Sequence, residues 1–156
     1  MKTLTTGQPA PDFTLPDQHN TLQSLTALLK KGKLLLYFYP KAMTPGCTVQ
    51  ACNLRDSNSQ LADLGVHVAG ISIDSPSRLA KFAERDQLNF TLLADEQHQV
   101  AAAFGVWGEK KFMGKVYDGI HRISFLINQD GIIEQVFSGF KTKDHHQDVL
   151  NYLTRQ

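Results

Sequence analysis

The run LLLYFY at positions 34–39 admits few environments. A strand with one wet face alternates apolar and polar residues. An unbroken apolar run bounded by Gly32 and Pro40 fits a strand covered on both faces. A second such run, VHVAGISI, occupies positions 66–73. Between the two, the pattern from Pro45 to about Leu64 is helical, and Gly65 stops it. Residues 75–87 also read as a helix, with Ser75 as cap and Pro76 at the first helical position, where its missing N–H costs nothing. Buried strands that alternate with helices imply parallel pairing and a sheet covered by helices.

The remaining segments fit around that frame. Residues 7–13, GQPAPDF, carry two prolines and read as extended chain. Residues 21–30 read as a short helix stopped by Gly32, 90–93 as a short strand and 95–104 as a short helix. Residues 105–119 are glycine-rich and polar and read as a long loop. Residues 122–128 and 132–137 flank Asp130-Gly131, a hairpin signal, and residues 144–154 close the chain as a helix. The expected class is α/β: a thioredoxin-like fold with a mixed central sheet flanked by helices. The length of 156 residues suits one domain, 1–156. A chain of this size can bury roughly 70% of its unfolded surface, so its core needs no disulfide or metal.

Composition excludes several classes. Lys and Arg number 16 against 15 Asp and Glu, a net charge of +1, so there is no electrostatic case for nucleic acid. No apolar run is long enough to span a membrane. Residues 1–12 lack the apolar block of a signal peptide, so a cytoplasmic protein is expected. In a reducing compartment the two cysteines, Cys47 and Cys52, are not expected to form a structural disulfide. They are too few for a four-thiolate zinc site, and His19, His67, His98, His121, His145 and His146 show no ligand spacing.

The chemistry concentrates at Thr44-Pro45-Gly46-Cys47, on the strand-to-helix junction. Thr44 is a good N-cap and Pro45 a good first helical residue, so Cys47 falls at the third helical position. Unpaired N–H groups and the positive end of the helix dipole favour an anionic sulfur there. Gly46 leaves room for a small substrate beside it. An inert core cysteine suits mid-strand or an apolar helix face better than a first turn preceded by TPG.

Cys52 lies five residues on. In an intact helix that separation gives about 140° of net rotation, a rise of ~7.5 Å and a Cα separation of about 8.7 Å. Disulfides rarely exceed roughly 7 Å between Cα atoms, so a bond between the two cysteines would require the first turns to unwind. Spacing alone leaves Cys52 open as reaction partner or as core packing. Arg122, at the start of RISFLIN, is the candidate cation for a thiolate and for a departing oxygen. A routine surface salt bridge is the other reading for it.

These residues resemble a known family. Pro40-x-x-x-Thr44-x-x-Cys47 resembles the active-site motif of the peroxiredoxins, and YFYPKAMTPGCTVQAC (37–52) is similar to the peroxiredoxin Q, or bacterioferritin comigratory protein, subfamily. The likeness continues through GQPAPDF (7–13), GISIDSP (70–76), FTLLAD (90–95), FGVWGEK (104–110) and GIHRISFLI (119–127). The resemblance implies that Cys47 attacks the terminal oxygen of a hydroperoxide and becomes a sulfenic acid. Thr44 matches the residue whose hydroxyl bonds the peroxide and thiolate. Arg122 matches the arginine that stabilises the thiolate and polarises the O–O bond, and Pro40 the residue that shields the sulfur. Cys52 matches the resolving cysteine of members that form an intramolecular disulfide, rely on thioredoxin and are mostly monomeric. Neither haem, flavin nor metal is implied. Rival readings are a thioredoxin-like protein disulfide reductase, which the missing Cys-x-x-Cys disfavours, and a redox-sensing binding module or holdase.

Other residues read more plainly. Trp107, Phe112 and Met113 either pack the long loop onto the body or line a peroxide entrance. Glu109, Lys110 and Lys111 read as a solvated charge run, His145 and His146 as surface residues, and Asn20 and Asn128 as turn residues.

Overall fold

The computed structural model describes residues 1–155 of the chain. In chain order its elements are β1 (Thr14–Pro16), β2 (Leu22–Ser24), α1 (Leu25–Leu29), β3 (Lys33–Phe38), α2 (Pro45–Asp63), β4 (Val66–Ser72), α3 (Pro76–Arg85) and β5 (Thr91–Ala94). They continue with α4 (Gln99–Ala103), β6 (Trp107–Phe112), β7 (Lys115–Ile120), β8 (Ser124–Ile127), β9 (Ile133–Phe137) and α5 (His145–Thr154). The main sheet has the order β5-β4-β3-β8-β9. β3, β4 and β5 run parallel, and β8 and β9 are antiparallel additions. It is the mixed, helix-flanked sheet expected from the order of elements.

The run at 34–39 is central and buried throughout. Alternation along β3 sends Leu35 and Tyr37 into one core layer with Ala51, Leu54 and Leu61 of α2, Leu79 and Phe82 of α3, and Val149 and Leu150 of α5. Leu34, Leu36 and Phe38 enter the other layer with Leu25, Leu28 and Leu29 of α1 and Val100 and Ala101 of α4. Tyr37 and Tyr39 stack at 5.2 Å between ring centroids. Gly70 on β4, opposite Tyr37, makes room for them: a Cβ there would stand 2.8 Å from the Tyr37 ring and 2.9 Å from that of Tyr39.

Both edges of this sheet are covered by the N-terminal segment. On the β9 side Pro9 bridges Ile132, Gly7 N–H donates to the Ile133 carbonyl at 2.8 Å and Ile133 N–H to the Gln8 carbonyl at 2.9 Å. On the β5 side Asp17 bridges Leu93, and the Gln18 carboxamide imitates a neighbouring strand. It accepts from Leu92 N–H at 2.9 Å and donates to the Phe90 carbonyl at 3.1 Å.

Two expectations are corrected. The short helix at 21–30 is split, because Leu22–Ser24 pairs with β1 and only Leu25–Leu29 is helical, capped by the Ser24 hydroxyl. The long loop at 105–119 is a regular hairpin, β6–β7. Its two-residue turn, Met113-Gly114, has φ of 52° and 78°, the double left-handed turn that suits strand twist. Both faces are largely wet, so no apolar alternation announces it.

Candidate active site

β3 delivers the chain to a tight loop, residues 39–44, ahead of α2. Two anchors on the β4–α3 junction shape that loop. The buried Asp74 carboxylate accepts from Ala42 N–H at 2.8 Å and from the Ser72 hydroxyl at 2.7 Å. Arg78 pairs with the same carboxylate at 3.0 Å and donates to the Ala42 carbonyl at 3.3 Å. Met43 adopts φ of 67°, a conformation a non-glycine residue holds only when its surroundings impose it. Sequence reasoning passed over Asp74; a carboxylate between two buried strand-end positions and a helix cap was the available signal.

Thr44 is the N-cap by backbone geometry, as expected, but its side chain makes no cap bond. Its hydroxyl instead donates to the Lys41 carbonyl at 2.9 Å. The helical ladder starts with Thr48 N–H bonding the Thr44 carbonyl at 2.8 Å. The N–H groups of Gly46 and Cys47 therefore lie ahead of the ladder, at the positive end of the helix. Cys47 is third in α2 and only 1% exposed.

Arg122 meets this sulfur. It precedes β8 rather than opening it, and each of its two terminal nitrogens lies 3.5 Å from Cys47 Sγ. One of them also donates to Gln50 Oε1 at 2.7 Å. Gln50 is fully buried one turn below Cys47 and holds the guanidinium against the sulfur. The sequence reading did not single it out; its position one helical turn after Cys47, on the same face, was the signal. A Cβ built on Gly46 would stand 3.6 Å from Arg122 Nη2, so the glycine keeps the space beside the fork open. Pro40 is half-buried at the head of the loop. Thus Cys47 and Arg122 meet at the helix start, Thr44 caps the same helix with its hydroxyl on the Lys41 carbonyl, and Pro40 heads the loop that leads to it.

Cys52 lies in the same unbroken helix and both thiols are free. It is half-buried, and burial pushes its thiol up, with Asp86 and Asp56 adding to the shift and Arg55 opposing it. Among the described residues no cluster of His, Cys, Asp and Glu is arranged to hold a metal.

Three peripheral expectations are revised. His145 is not a surface residue: it is fully buried, its Nε2 lies 2.8 Å from the Ser124 hydroxyl, and its ring packs 4.4 Å from that of Phe140. His146 is half-buried. Lys110 departs from its charge run, being half-buried while Glu109 and Lys111 stay exposed. Trp107 does pack onto the body, stacked on His98 at 4.0 Å, whereas Phe112 and Met113 project into solvent.

Known proteins carry the same plan. The AhpC/TSA family pattern matches residues 6–136. The chain is 61% identical over 153 residues to peroxiredoxin Bcp of Escherichia coli strain K12, covering 98% of this chain and 97% of that one. It is 44% identical over 152 residues to peroxiredoxin Bcp of Bacillus subtilis strain 168, covering 97% and 96%. Peroxidoxin BcpB of Mycobacterium tuberculosis superposes with a TM-score of 0.87 at 39% identity, covering 97% of each chain. Peroxiredoxin Q of Xanthomonas campestris does so with 0.85 at 30% identity, covering 92% of this chain and 90% of that one. The fold is thus the thioredoxin-like one expected.

Proposed function

We propose, since the chain belongs to the AhpC/TSA family and is a thiol-dependent peroxidase of the peroxiredoxin kind, that Cys47 is its attacking sulfur. The thiolate of Cys47 attacks the terminal oxygen of hydrogen peroxide or an organic hydroperoxide. The O–O bond breaks, Cys47 becomes a sulfenic acid, and the departing alkoxide takes a proton to leave as alcohol or water. The observation that carries this reading is the Arg122 fork, with both nitrogens 3.5 Å from Cys47 Sγ. Its charge favours the thiolate before reaction and the developing oxyanion during it. Thr44 presents a hydroxyl at the same helix start, and Pro40 limits water at the sulfur.

Cys52 then resolves the sulfenic acid: its sulfur bonds Cys47 and water leaves. The helix must open for this, and its anchoring is uneven. Beyond Cys52, α2 is pinned to the end of α3. Arg55 donates to the Asp86 carbonyl, Asn58 to the Asn89 carbonyl at 3.1 Å, and Asn89 to the Arg55 carbonyl at 3.2 Å. Ahead of Cys52, the side-chain link to α3 is Arg85 to Thr48 at 2.9 Å. Opening is therefore confined to the first turns, and it relieves the burial that keeps the Cys52 thiol neutral. A thioredoxin-type dithiol returns the disulfide to two thiols. The enzyme works as a cytoplasmic monomer; no helix among the described residues is long and apolar enough to cross a membrane.

The test is mass and thiol content after one equivalent of hydrogen peroxide. Wild type should lose both thiols and the mass of two hydrogens, Cys52→Ser should gain one oxygen on Cys47, and Cys47→Ser should stay unchanged. Peroxide consumption by Cys47→Ser at the wild-type rate overturns the assignment.

A further inference from the structure

The β6–β7 hairpin is a sheet of its own, and residues 111–118 at its end are all exposed. Its last three rungs pair Lys110 with Tyr117, Lys111 with Val116 and Phe112 with Lys115, ahead of the turn Met113-Gly114. Phe112 is 65% and Met113 86% exposed, and Val116 and Tyr117 are exposed as well. Turns are ordinarily built from small and polar residues, so this cluster of large apolar side chains calls for a partner. Strand alternation sends the four in different directions. Phe112 and Tyr117 lie on one face of the hairpin, Val116 lies on the other, and Met113 stands in the turn. A protein groove that took one face would leave the other wet. A fluid apolar layer entered end-on takes both.

The charges around the tip are ordered too. From 110 to 117 the chain carries three lysines and no acid. Lys110 is withdrawn: a Cβ on Gly119 would stand 3.1 Å from its Cδ, and its Nζ donates to the Ile120 carbonyl at 2.9 Å. Lys111 and Lys115 stay exposed, one on each face, and neither forms an ion pair among the described residues. The nearest acids along the chain, Glu109 and Asp118, pair one rung behind Lys110. At about 3.4 Å per residue they stand roughly 10 Å back from the turn. The hairpin is therefore apolar at its end, cationic at its collar and acidic only behind that. An anionic bilayer presents the matching order, with acyl chains beneath and phosphates above. Interfacial segments seat their apolar side chains roughly 5–10 Å deep, and lysines add attraction to anionic lipid.

We propose that the β6–β7 tip docks the protein on an anionic lipid surface, with Phe112 and Met113 among the acyl chains and Lys111 and Lys115 at the phosphates. The contact is peripheral and separate from the chemistry at Cys47. It is reversible, because two lysines and a short apolar tip make a weak anchor.

The test is co-sedimentation of the full chain with vesicles of phosphatidylglycerol and phosphatidylcholine, and with vesicles of phosphatidylcholine alone. Wild type should partition onto the anionic vesicles at least about tenfold more strongly, and high salt should weaken it. Phe112→Ser with Met113→Ser should lower that partitioning at least about tenfold, and so should Lys111→Glu with Lys115→Glu. Both double variants should consume hydrogen peroxide at the wild-type rate, which also shows that they fold. Absence of vesicle binding, equal binding to neutral vesicles, or binding that survives either double variant overturns the proposal. A wild-type dimer that Phe112→Ser with Met113→Ser splits, without vesicle binding, assigns the tip to a second copy of the chain instead. Slowed peroxide turnover in a serine variant that unfolds in urea like wild type assigns the tip to the peroxide entrance and overturns the proposal too. Should the serine variant fail to fold, the lysine variant decides.

Discussion

His145 makes the folded chain sensitive to mild acid, by an amount that can be worked out. In the native protein its ring is fully buried beside Ser124 and Phe140. Burial above all, with the His146 and Arg122 charges adding, pushes it down to about 3 from its ordinary 6.5. The unfolded chain therefore binds a proton near pH 6.5 that the native chain refuses. Stability from this group is complete above that pH and drains as pH falls toward 3, by about 1.4 kcal/mol per unit. Between pH 7 and pH 5 the loss is about 2 kcal/mol. His145→Gln keeps a hydrogen-bonding group near Ser124 but does not titrate. Urea unfolding of both proteins at pH 7, 6 and 5 is the assay. His67, half-buried and also pushed down by burial, drains stability in the same direction but equally in both proteins. Whatever the stability gap between wild type and variant at pH 7, it should shift against wild type by about 2 kcal/mol at pH 5. A gap constant to within about 0.5 kcal/mol across the series would refute the reasoning, as would an imidazole NMR titration of His145 near its ordinary midpoint.

Arg122→Lys removes the two-pronged approach to Cys47 and the bond to Gln50; stopped-flow peroxide reaction should slow at least about tenfold while urea stability changes by less than about 1 kcal/mol. Asp74→Ala strips partners from the buried Ala42 N–H and Ser72 hydroxyl and should cost about 2–4 kcal/mol in urea unfolding. It should also slow peroxide turnover through the displaced 39–44 loop. Gly105→Ala meets a positive φ of 72° and puts a Cβ against the Lys2 backbone. A loss of at least about 2 kcal/mol is expected, and hydrogen exchange should rise at Leu4, which bonds the Phe104 carbonyl.

What the sequence revealed follows from how local each signal is. β3 and β4 are announced by the apolar runs at 34–39 and 66–73, because burial on both faces leaves little room for polar residues, half-buried His67 and the Asp74-bonded Ser72 being the exceptions. The start of α2 is equally legible: Thr44, Pro45 and Cys47 take their places from cap and first-turn chemistry within a few residues. Arg122 stood as the candidate cation from its place at the start of RISFLIN, with a surface salt bridge as the other reading, and the resemblance then singled it out; nothing near it in the chain says that it reaches a sulfur 75 positions away. The hairpin at 107–120 escaped because its turn, Met-Gly, lacks the usual Asn-Gly signature and its strands have no apolar face. His145 escaped because its partner, Ser124, belongs to a distant strand. Lys110 hid in a charge run, and its burial depends on a glycine across the hairpin.

The covered sheet edges bear on what the protein risks each time it works. On the cycle proposed above, opening the first turns of α2 bares buried side chains such as Ala51. Exposed apolar surface next to an unsatisfied strand is the recipe for runaway cross-strand assembly between molecules. Here Gln18 and the 7–10 segment occupy the donor and acceptor rows at both ends of the sheet, and neither belongs to the part that moves. On that reading the central sheet keeps both of its edges covered while the helix start opens, which guards it against edge-to-edge pairing between molecules.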